Sequence, residues 1–447
     1  MNTSSPLDIA EQLLALAKRA GAEQADVLAV TGTSVSISVR NGALDEADRS
    51  KRTEVGLRAL VGQRQATVST SDLSVASLER LAERAVDMAR LAPDDPTLGL
   101  ADAADLSVVR DAAGLELDDP ADEPSAEALR DLALAAETAA RAVPGVTKMD
   151  AAGAGYGRSA FFLAASNGFR GGYARTGTTI SATAISGEGT GMERDYAYDS
   201  RVFASELDSP ASIGRLAGER AVGRVSPRKA GKGAFPVLYD ERVASGLIGH
   251  LLSAINGAAI VRGASWLRDA MGALVLPEGL TLTEEPLRRR GHSSRPFDAE
   301  GLACAERRII DQGRLSGWVL DLGTARKLGM GSTGNASRGT SGGPSPSTSN
   351  LRLTHGTASQ QDMMRDMGTG LLVTSMLGAS INPTTGDYSR GCSGFWIENG
   401  EIAWPVNECT IAGNLREMLM RITPADDGQD RKSIIVPSLL VEGLTVA

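Results

Sequence analysis

Apolar residues at helical spacing open the chain and then give way to strand-like alternation. Residues 6–21 carry apolar side chains three and four positions apart, with Pro6 near the start and Gly21 where the helix should end. Asn41-Gly42 is a dipeptide typical of a hairpin turn. The predicted elements, in order, are a helix at 6–21, strands at 25–30, 35–39, 54–61 and 65–68, and a helix at 74–91. This order favours the α+β class, because it lacks βαβ alternation.

The same order occurs a second time. Prolines and aspartates break up residues 92–125, which indicates a linker or surface loop. After it the pattern predicts a helix at 125–141, strands within 146–204 and a helix at 209–224. Helix, strands and helix therefore follow one another twice, which suggests an internal structural repeat.

From residue 232 the pattern changes to short strands and glycine-rich turns. A small-residue helix is predicted at 243–260, and a hairpin within 389–411 that turns at Glu398-Asn399-Gly400. The other predicted elements are a strand at 235–239, a hairpin at 306–320, a helix at 357–366, a strand at 370–376 and a final strand at 434–447. Residues 331–350 are nearly all Gly, Ser, Thr, Asn and Pro, and this composition predicts a flexible loop.

These patterns divide the chain into four segments. The predicted segments are an N-terminal α+β domain at 1–95, a linker at 96–124, a middle α+β domain at 125–230 and a β-rich C-terminal domain at 231–447. The last domain contains the helix at 243–260 and the flexible loop at 331–350. The predicted fold is α+β, with mixed or antiparallel sheets flanked by helices.

Composition excludes several classes of function. The 447 residues carry a net charge of −9, and only 4% of them are aromatic. This balance disfavours nucleic-acid binding, which uses basic grooves and stacking aromatics. No apolar run is long enough to span a membrane, and we expect no signal peptide. Three cysteines do not form a disulfide framework, so we expect a cytoplasmic protein.

Several strings in the third segment resemble a known family. They are Gly-Asn-Ala-Ser-Arg at 334–338, the Gly/Ser/Pro run at 342–350, Ile-Asn-Pro-Thr-Thr-Gly-Asp-Tyr-Ser-Arg-Gly at 381–391, Gly-Phe-Trp-Ile-Glu-Asn-Gly at 394–400 and Thr-Ile-Ala-Gly-Asn-Leu at 410–415. Together they resemble the TldD/PmbA family, and within it the PmbA (TldE) branch. The resemblance covers essentially the whole chain.

The resemblance implies a subunit of a cytosolic metallopeptidase. Family complexes pair a TldD-type subunit with a PmbA-type subunit, remove leader peptides and degrade unfolded peptides and some antitoxins. The TldD-type subunit holds zinc through a His-Glu-x-x-x-His helix and a later cysteine. The resemblance therefore implies a TldD-type partner that carries zinc, a peptide or unfolded-protein substrate, and an α+β fold of three domains. Whether this chain also forms a homodimer is left open.

The zinc motif of the family is not found in this chain. Only His250 lies in the helix where the motif should fall. If His250 were the first motif histidine, the glutamate position would be Leu251 and the second histidine Ile255. If it were the second, those positions would be Gly246 and Ser245. Either alignment lacks the general base and one ligand that zinc hydrolysis needs.

The cysteine ligand is missing as well. The resemblance places it within 423–433, which contains no cysteine, and Cys392 and Cys409 fall earlier. We therefore predict no metal site in this chain. His250, His355 and Cys392 remain weak catalytic candidates, and the polar loop around His292 is predicted to be exposed surface.

Three functions stay open. The leading hypothesis is a PmbA-type subunit that helps hold an extended peptide by strand addition, which uses backbone hydrogen bonds. The alternatives are a regulatory protein that binds DNA gyrase or an antitoxin, and a self-contained metallopeptidase with unusual ligands. The matching motifs supply the candidate cleft residues Asn335, Ser337, Arg338, Asn382, Asp387, Tyr388, Ser389 and Arg390.

Overall fold

One six-stranded antiparallel sheet organises the first half of the chain. In the computed structural model, which describes residues 5–447, its strands are β1 (Gln24–Arg40), β2 (Ala43–Val61), β3 (Arg64–Thr70), β4 (Val146–Ala165), β5 (Arg170–Ser186) and β6 (Glu193–Arg201). The helices are α1 (Pro6–Ala20), α2 (Val75–Leu91), α3 (Ala126–Arg141) and α4 (Pro210–Gly223). The strand order is β3-β2-β1-β4-β5-β6. The predicted α+β class is confirmed.

Local signals begin and end these helices. The side chain of Ser5 accepts a hydrogen bond from the amide of Asp8, whose carboxylate in turn accepts from Ser5, so a capping box starts α1. At the other three helices the side chains of Ser74, Ser125 and Ser209 each accept from the amide three residues later, which caps the helix without a capping box. Gly21, with φ of 103°, ends α1 in the left-handed region that favours glycine. The predicted helices therefore form close to their predicted positions.

The predicted repeat is confirmed by the topology of this sheet. Each half runs helix, three strands, helix, and the first strands of the two halves pair antiparallel at the centre, from Asp26 opposite Ala165 to Val39 opposite Ala152. The two predicted α+β segments thus share one sheet, although each pair of helices buries its own apolar cluster against it.

Residues 96–124 differ from the expectation of a linker, because they pack on the sheet. Leu100 and Leu117 are buried. The carbonyls of Arg110 and Leu117 accept hydrogen bonds from the amides of Gly172 and Thr176 on β5. The segment is irregular in shape, but its backbone is tied to the sheet over much of its length.

The C-terminal half contains a second large sheet and a smaller one. The strands are β7 (Gly233–Tyr239), β8 (Leu282–Glu284), β9 (Arg307–Asp311), β10 (Arg314–Leu315), β11 (Ala336–Ser337), β12 (Ser345–Pro346), β13 (Leu351–Leu353), β14 (Gly370–Ile381), β15 (Asp387–Glu398), β16 (Glu401–Asn414), β17 (Ile422–Pro424), β18 (Ile434–Ile435) and β19 (Leu439–Val446). The helices are α5 (Glu241–Ala254), α6 (Gly257–Val261), α7 (Leu322–Lys327), α8 (Gln360–Met367) and α9 (Leu415–Leu419).

These strands form three sheets with different partners. The orders are β16-β15-β14-β7-β19-β17, β10-β9-β8-β13-β18 and the pair β11-β12. An additional pairing of β16 with β19 curls the largest sheet on itself. The hairpin predicted to turn at Asn399-Gly400 is confirmed, with φ of 52° and 79° at these two residues. Among residues 5–447, no helix is long and apolar enough to cross a membrane.

Two predicted elements of this half are divided in the structure. The helix predicted at 243–260 breaks at Ile255, because the side chain of Asn256 caps a new helix by accepting from the amide of Ala258. The amide of Gly257 donates to the carbonyl of Val319 there, which fixes the break. The final strand predicted at 434–447 is likewise two strands, β18 and β19, in different sheets.

The segment 331–350, predicted as a flexible loop, has regular pairing and buried polar residues in the structure. The segment forms the β11–β12 pair, and Asn335 and Asn350 are buried. The carboxylate of Glu284 accepts from Asn335 Nδ2 at 2.8 Å and from the amide of Ser349 at 2.6 Å. A buried carboxylate that is distant in sequence thus orders polar residues of this segment. The local composition of the segment does not indicate this interaction.

Candidate functional site

A cleft of about 520 Å³ lies between the edge of the first sheet and the C-terminal half. One wall is strand β6 with helix α4. The other wall is the start of α5 and the segment 429–434. The cleft is therefore built by both halves of the chain.

The outer edge of β6 faces this cleft, and side chains already bond two of its carbonyls. Arg220 Nη1 donates to the carbonyl of Tyr196 at 3.1 Å, and His292 Nε2 donates to the carbonyl of Ser200 at 2.9 Å. Along a strand, the backbone groups of every second residue point to the same side. The amide and carbonyl of Tyr198, which lies midway between Tyr196 and Ser200, therefore point to the same outer side as their carbonyls. β6 is the last strand of its sheet, so this side is an edge that an extended chain can pair with.

Two tyrosines project beside this edge. Tyr196 is 48% exposed and Tyr198 is 52% exposed, and their rings stack with centroids 6.2 Å apart. Large exposed aromatic side chains at a strand edge supply apolar contact to a bound peptide. They are unusual in a chain with so few aromatics.

The cleft holds one guanidinium that forms no ion pair within residues 5–447, that of Arg220. The neighbouring Arg242 is paired with Asp195 at 3.0 Å and with Asp240 at 3.1 Å. Burial, and then the positive charge of Arg242, lower the pKa of Arg220. A half-buried guanidinium without a counter-ion favours a carboxylate ligand.

His250 lies against the large C-terminal sheet, away from this edge. Its ring meets the ring of Tyr388 edge-on at 5.9 Å, and its Nε2 atom has no hydrogen-bond partner. Burial, and then the charge of Arg390, lower the pKa of His250, which favours the neutral ring. Tyr388 itself is 3% exposed, and burial raises its pKa to about 12.

Cys392 has a thiol, not a histidine, as its neighbour. Its Sγ lies 3.2 Å from Sγ of Cys409, and both residues are buried. The hydrogen bond to Cys409, together with burial, raises the pKa of Cys392 far above its ordinary value. A buried thiol that is protonated and has no histidine beside it does not serve as the nucleophile of peptide hydrolysis.

The side chains present do not fit a zinc site of the family's kind. Over residues 5–447, no group of three or more His, Cys, Asp or Glu side chains converges. His355 lies beside Gly428 and the carboxylate of Asp430, and its Nε2 is unpartnered. His250, His355 and Cys392 are thus not assembled into one donor set.

The candidates from the 331–350 segment have structural partners. The side chain of Arg338 is 1% exposed and pairs with Asp26 of β1. Asn335 bonds Glu284, and Ser337 lies in β11. None of the three lines the β6 cleft.

The other candidates lie in the turn between β14 and β15 and at the start of β15. Asn382 Oδ1 accepts from the amides of Thr384 and Thr385, and Asp387 accepts from Thr385 Oγ1 at 2.6 Å. Arg390 Nε donates to the carbonyl of Gly378 at 2.8 Å. Tyr388 and Ser389 belong to β15, and none of the five lines the β6 cleft either.

Sequence reasoning missed the residues that do line the cleft. The string Asp-Tyr-Ala-Tyr-Asp at 195–199 alternates small or acidic residues with tyrosine, which places both rings on one face of a strand. This was the available signal. His292, predicted to be exposed surface, is half-buried and holds β6 instead. Whether a strand is an edge depends on the whole sheet, so no local pattern shows it.

Comparisons with known proteins agree over nearly the whole chain. The PmbA/TldA metallopeptidase domain 1 matches residues 25–89, the central domain of that family matches 119–225, and its C-terminal domain matches 232–447. The chain is similar to Metalloprotease PmbA of Escherichia coli O157:H7, with 38% identity over 97% of this chain and 94% of that protein. It is also 36% identical to a PmbA homolog of Haemophilus influenzae, over the same shares.

Solved structures share the architecture. A crystal structure from Bacteroides thetaiotaomicron, of a protein whose name refers to modulation of DNA gyrase, matches with a TM-score of 0.92 at 27% identity, over 100% of both chains. TldE from Thermococcus kodakarensis matches with a TM-score of 0.86 at 20% identity, over 98% of this chain and 99% of that one, and so shows the fold. The chain belongs to the PmbA/TldD metallopeptidase family, on its PmbA branch.

Proposed function

We propose that this chain is the PmbA (TldE)-type subunit of a two-subunit peptidase and that it holds an extended peptide in the β6 cleft. The observation that carries the proposal is the outer edge of β6, where Tyr198 lies between the two bonded carbonyls, inside a cleft of about 520 Å³. A peptide paired with this edge would contact the backbone of Tyr198 and pack against the tyrosine rings.

Strand addition suits substrates that share no sequence. Its hydrogen bonds go from backbone to backbone, so any unfolded or leader segment without proline at the paired positions meets the requirement. Arg220 adds one charged contact beside the edge. It would favour a peptide with a carboxylate near the paired segment.

We further propose that the zinc belongs to a TldD-type partner. The scattered donors around His250, His355 and Cys392 support this assignment, because zinc catalysis needs three ligands that converge. Zinc bound in the partner would polarise the scissile carbonyl and activate water. The present chain would contribute peptide binding and orientation.

The test compares the chain alone, a TldD-type subunit alone and the mixture. Cleavage of a labelled unstructured peptide is measured with and without a zinc chelator. We expect the chain alone to be inactive and the mixture to be more active than the partner alone, with all activity lost on chelation.

Two outcomes would contradict the proposal. Chelator-sensitive hydrolysis by the chain alone would indicate a self-contained metallopeptidase. Recovery of DNA gyrase or an antitoxin without a TldD-type subunit, in a pull-down from cell extract, would indicate a regulatory binding protein.

A further inference from the structure

Two thiols face each other across the β15–β16 ladder. Cys392 and Cys409 are direct Cα partners, and their Sγ atoms are 3.2 Å apart. Directly opposed residues of antiparallel strands have Cα atoms about 4.5–5.5 Å apart. That spacing lies inside the range of about 4.4–6.8 Å seen for disulfides. The two side chains already point at each other, so closing the bond needs no strand to move far.

Hydrogen bonds give the two thiols different roles. Cys409 Sγ donates to the carbonyl of Cys392 at 3.3 Å, which leaves the Cys392 thiol to donate to Cys409 Sγ. The hydrogen bond between the two thiols lowers the pKa of Cys409 and raises the pKa of Cys392. Cys409 is also the more exposed of the two, at 4% against 0%. These contacts favour ionisation of Cys409 over ionisation of Cys392.

The thiol pair borders a β-bulge that contacts the other half of the chain. The register shifts between Cys392 and Gly394, so Asn407 and Glu408 together oppose one residue, and Glu408 has φ of 53°. On one side of the bulge, Ser393 Oγ accepts from Arg224 Nη2 at 2.7 Å.

On the other side of the bulge, Asn407 Nδ2 donates to Glu193 Oε1 at 2.6 Å. Glu193 begins β6, the strand that forms the cleft edge, and Arg224 follows α4. A change in the thiol pair would thus act directly next to the contacts that hold one end of β6.

We propose that Cys392 and Cys409 form a redox site in which a peroxide converts the dithiol to a cross-strand disulfide. The Cys409 thiolate attacks one oxygen of hydrogen peroxide, the O–O bond breaks, and the leaving hydroxide takes a proton to become water. Cys392 then loses its proton and attacks the sulfur of the Cys409 sulfenic acid, which releases a second water. Two thiols lose two electrons and two hydrogens, and one peroxide is reduced to two waters. A cellular thiol reverses the step by exchange.

The full-length folded chain is treated with hydrogen peroxide or with a reducing agent, quenched by alkylation under denaturing conditions, and mapped by mass spectrometry. We expect peroxide to remove two of the three alkylatable thiols and to yield a peptide linked between Cys392 and Cys409. Cys304 is the internal reference, since it is buried elsewhere, donates to the carbonyl of Gly334, and has its pKa raised to about 12. Reduction should restore all three thiols.

Matched variants make the result decisive. C304S should form the same linked peptide, whereas C392S and C409S should lose it. The proposal is overturned if the native wild-type chain keeps all three thiols at peroxide concentrations that oxidise a free thiol peptide. It is equally overturned if the linked peptide appears only after the chain is unfolded in denaturant before oxidation.

Discussion

Arg338 donates a hydrogen bond to the carboxylate of Asp26, although 312 residues separate them. The same carboxylate accepts from Arg58 Nε at 2.8 Å. All three side chains are nearly inaccessible to solvent. One buried anion therefore holds together two strands of the first sheet and the 331–350 segment of the C-terminal half.

Asp26→Asn should strongly destabilise the chain. The substitution leaves two buried guanidiniums without their anion, and breaking a buried pair in this way costs about 3–5 kcal/mol. Urea unfolding would measure the loss of free energy of unfolding. Asp94→Asn is the matched control, since the Asp94–Arg64 pair is exposed, and it should leave the unfolding curve unchanged. Equal curves for the two variants would contradict this account.

Glu300 should make the chain less stable as the pH rises. Burial, and then the charge of Asp298, raise the pKa of Glu300 from 4.5 to about 8. Between these values the unfolded chain has lost a proton that the folded chain keeps, so the free energy of unfolding falls with increasing pH. Glu300→Gln keeps an oxygen that can accept from the amide of Leu322, and it should flatten this dependence.

Urea midpoints at about pH 5 and about pH 8 give the slope for each protein. Glu401→Gln, at an exposed position of β16, serves as the control and should keep the wild-type slope. An unchanged slope in Glu300→Gln would show that the carboxyl of Glu300 does not cause the pH dependence of stability.

Tyr198→Pro should abolish peptide binding without unfolding the sheet. The amide of Tyr198 points to the open side of β6, so proline removes no bond of the existing ladder but blocks the bond to an added strand. Fluorescence anisotropy of a labelled extended peptide measures binding. Tyr198→Phe keeps the backbone donor and should bind like the wild type. Binding retained by the proline variant would exclude this edge.

Arg220→Gln should weaken binding of acidic peptides more than of neutral ones. A hydrogen bond to a charged group contributes about 1.5–3 kcal/mol, which corresponds to roughly tenfold or more in affinity. Titrating two peptides that differ only by one Glu→Gln change isolates the charge. Arg130→Gln, on the exposed face of α3, is the control variant. Equal losses for both peptides would argue against a carboxylate at Arg220.

The elements that follow from the sequence are those with local signals. Pro6 and Gly21 bound a helix, and Asn399-Gly400 turns a hairpin, because capping and turn chemistry act within a few residues. The repeat was visible for the same reason, as an order of local elements. The sequence did not show that the two repeats form one sheet, because the pairing of β1 with β4 joins residues more than a hundred positions apart.

The candidate site shows the same limit. The composition of the motif at 334–338 predicts a polar loop. In the structure, Asn335 bonds the buried Glu284 and Arg338 pairs with the buried Asp26, and both acceptors are distant in sequence. The cleft depends on which strand ends the sheet and on what faces it. Both are properties of the tertiary structure, so Tyr196 and Tyr198 gained significance only there.

The 331–350 segment also has a thermodynamic consequence. It bonds the first sheet through Arg338 and the C-terminal half through Asn335, so neither half can melt without exposing buried polar groups of the other. The halves therefore form one cooperative unit. A ligand held between them would meet two walls already fixed in place, and its binding energy would not be spent on bringing them together.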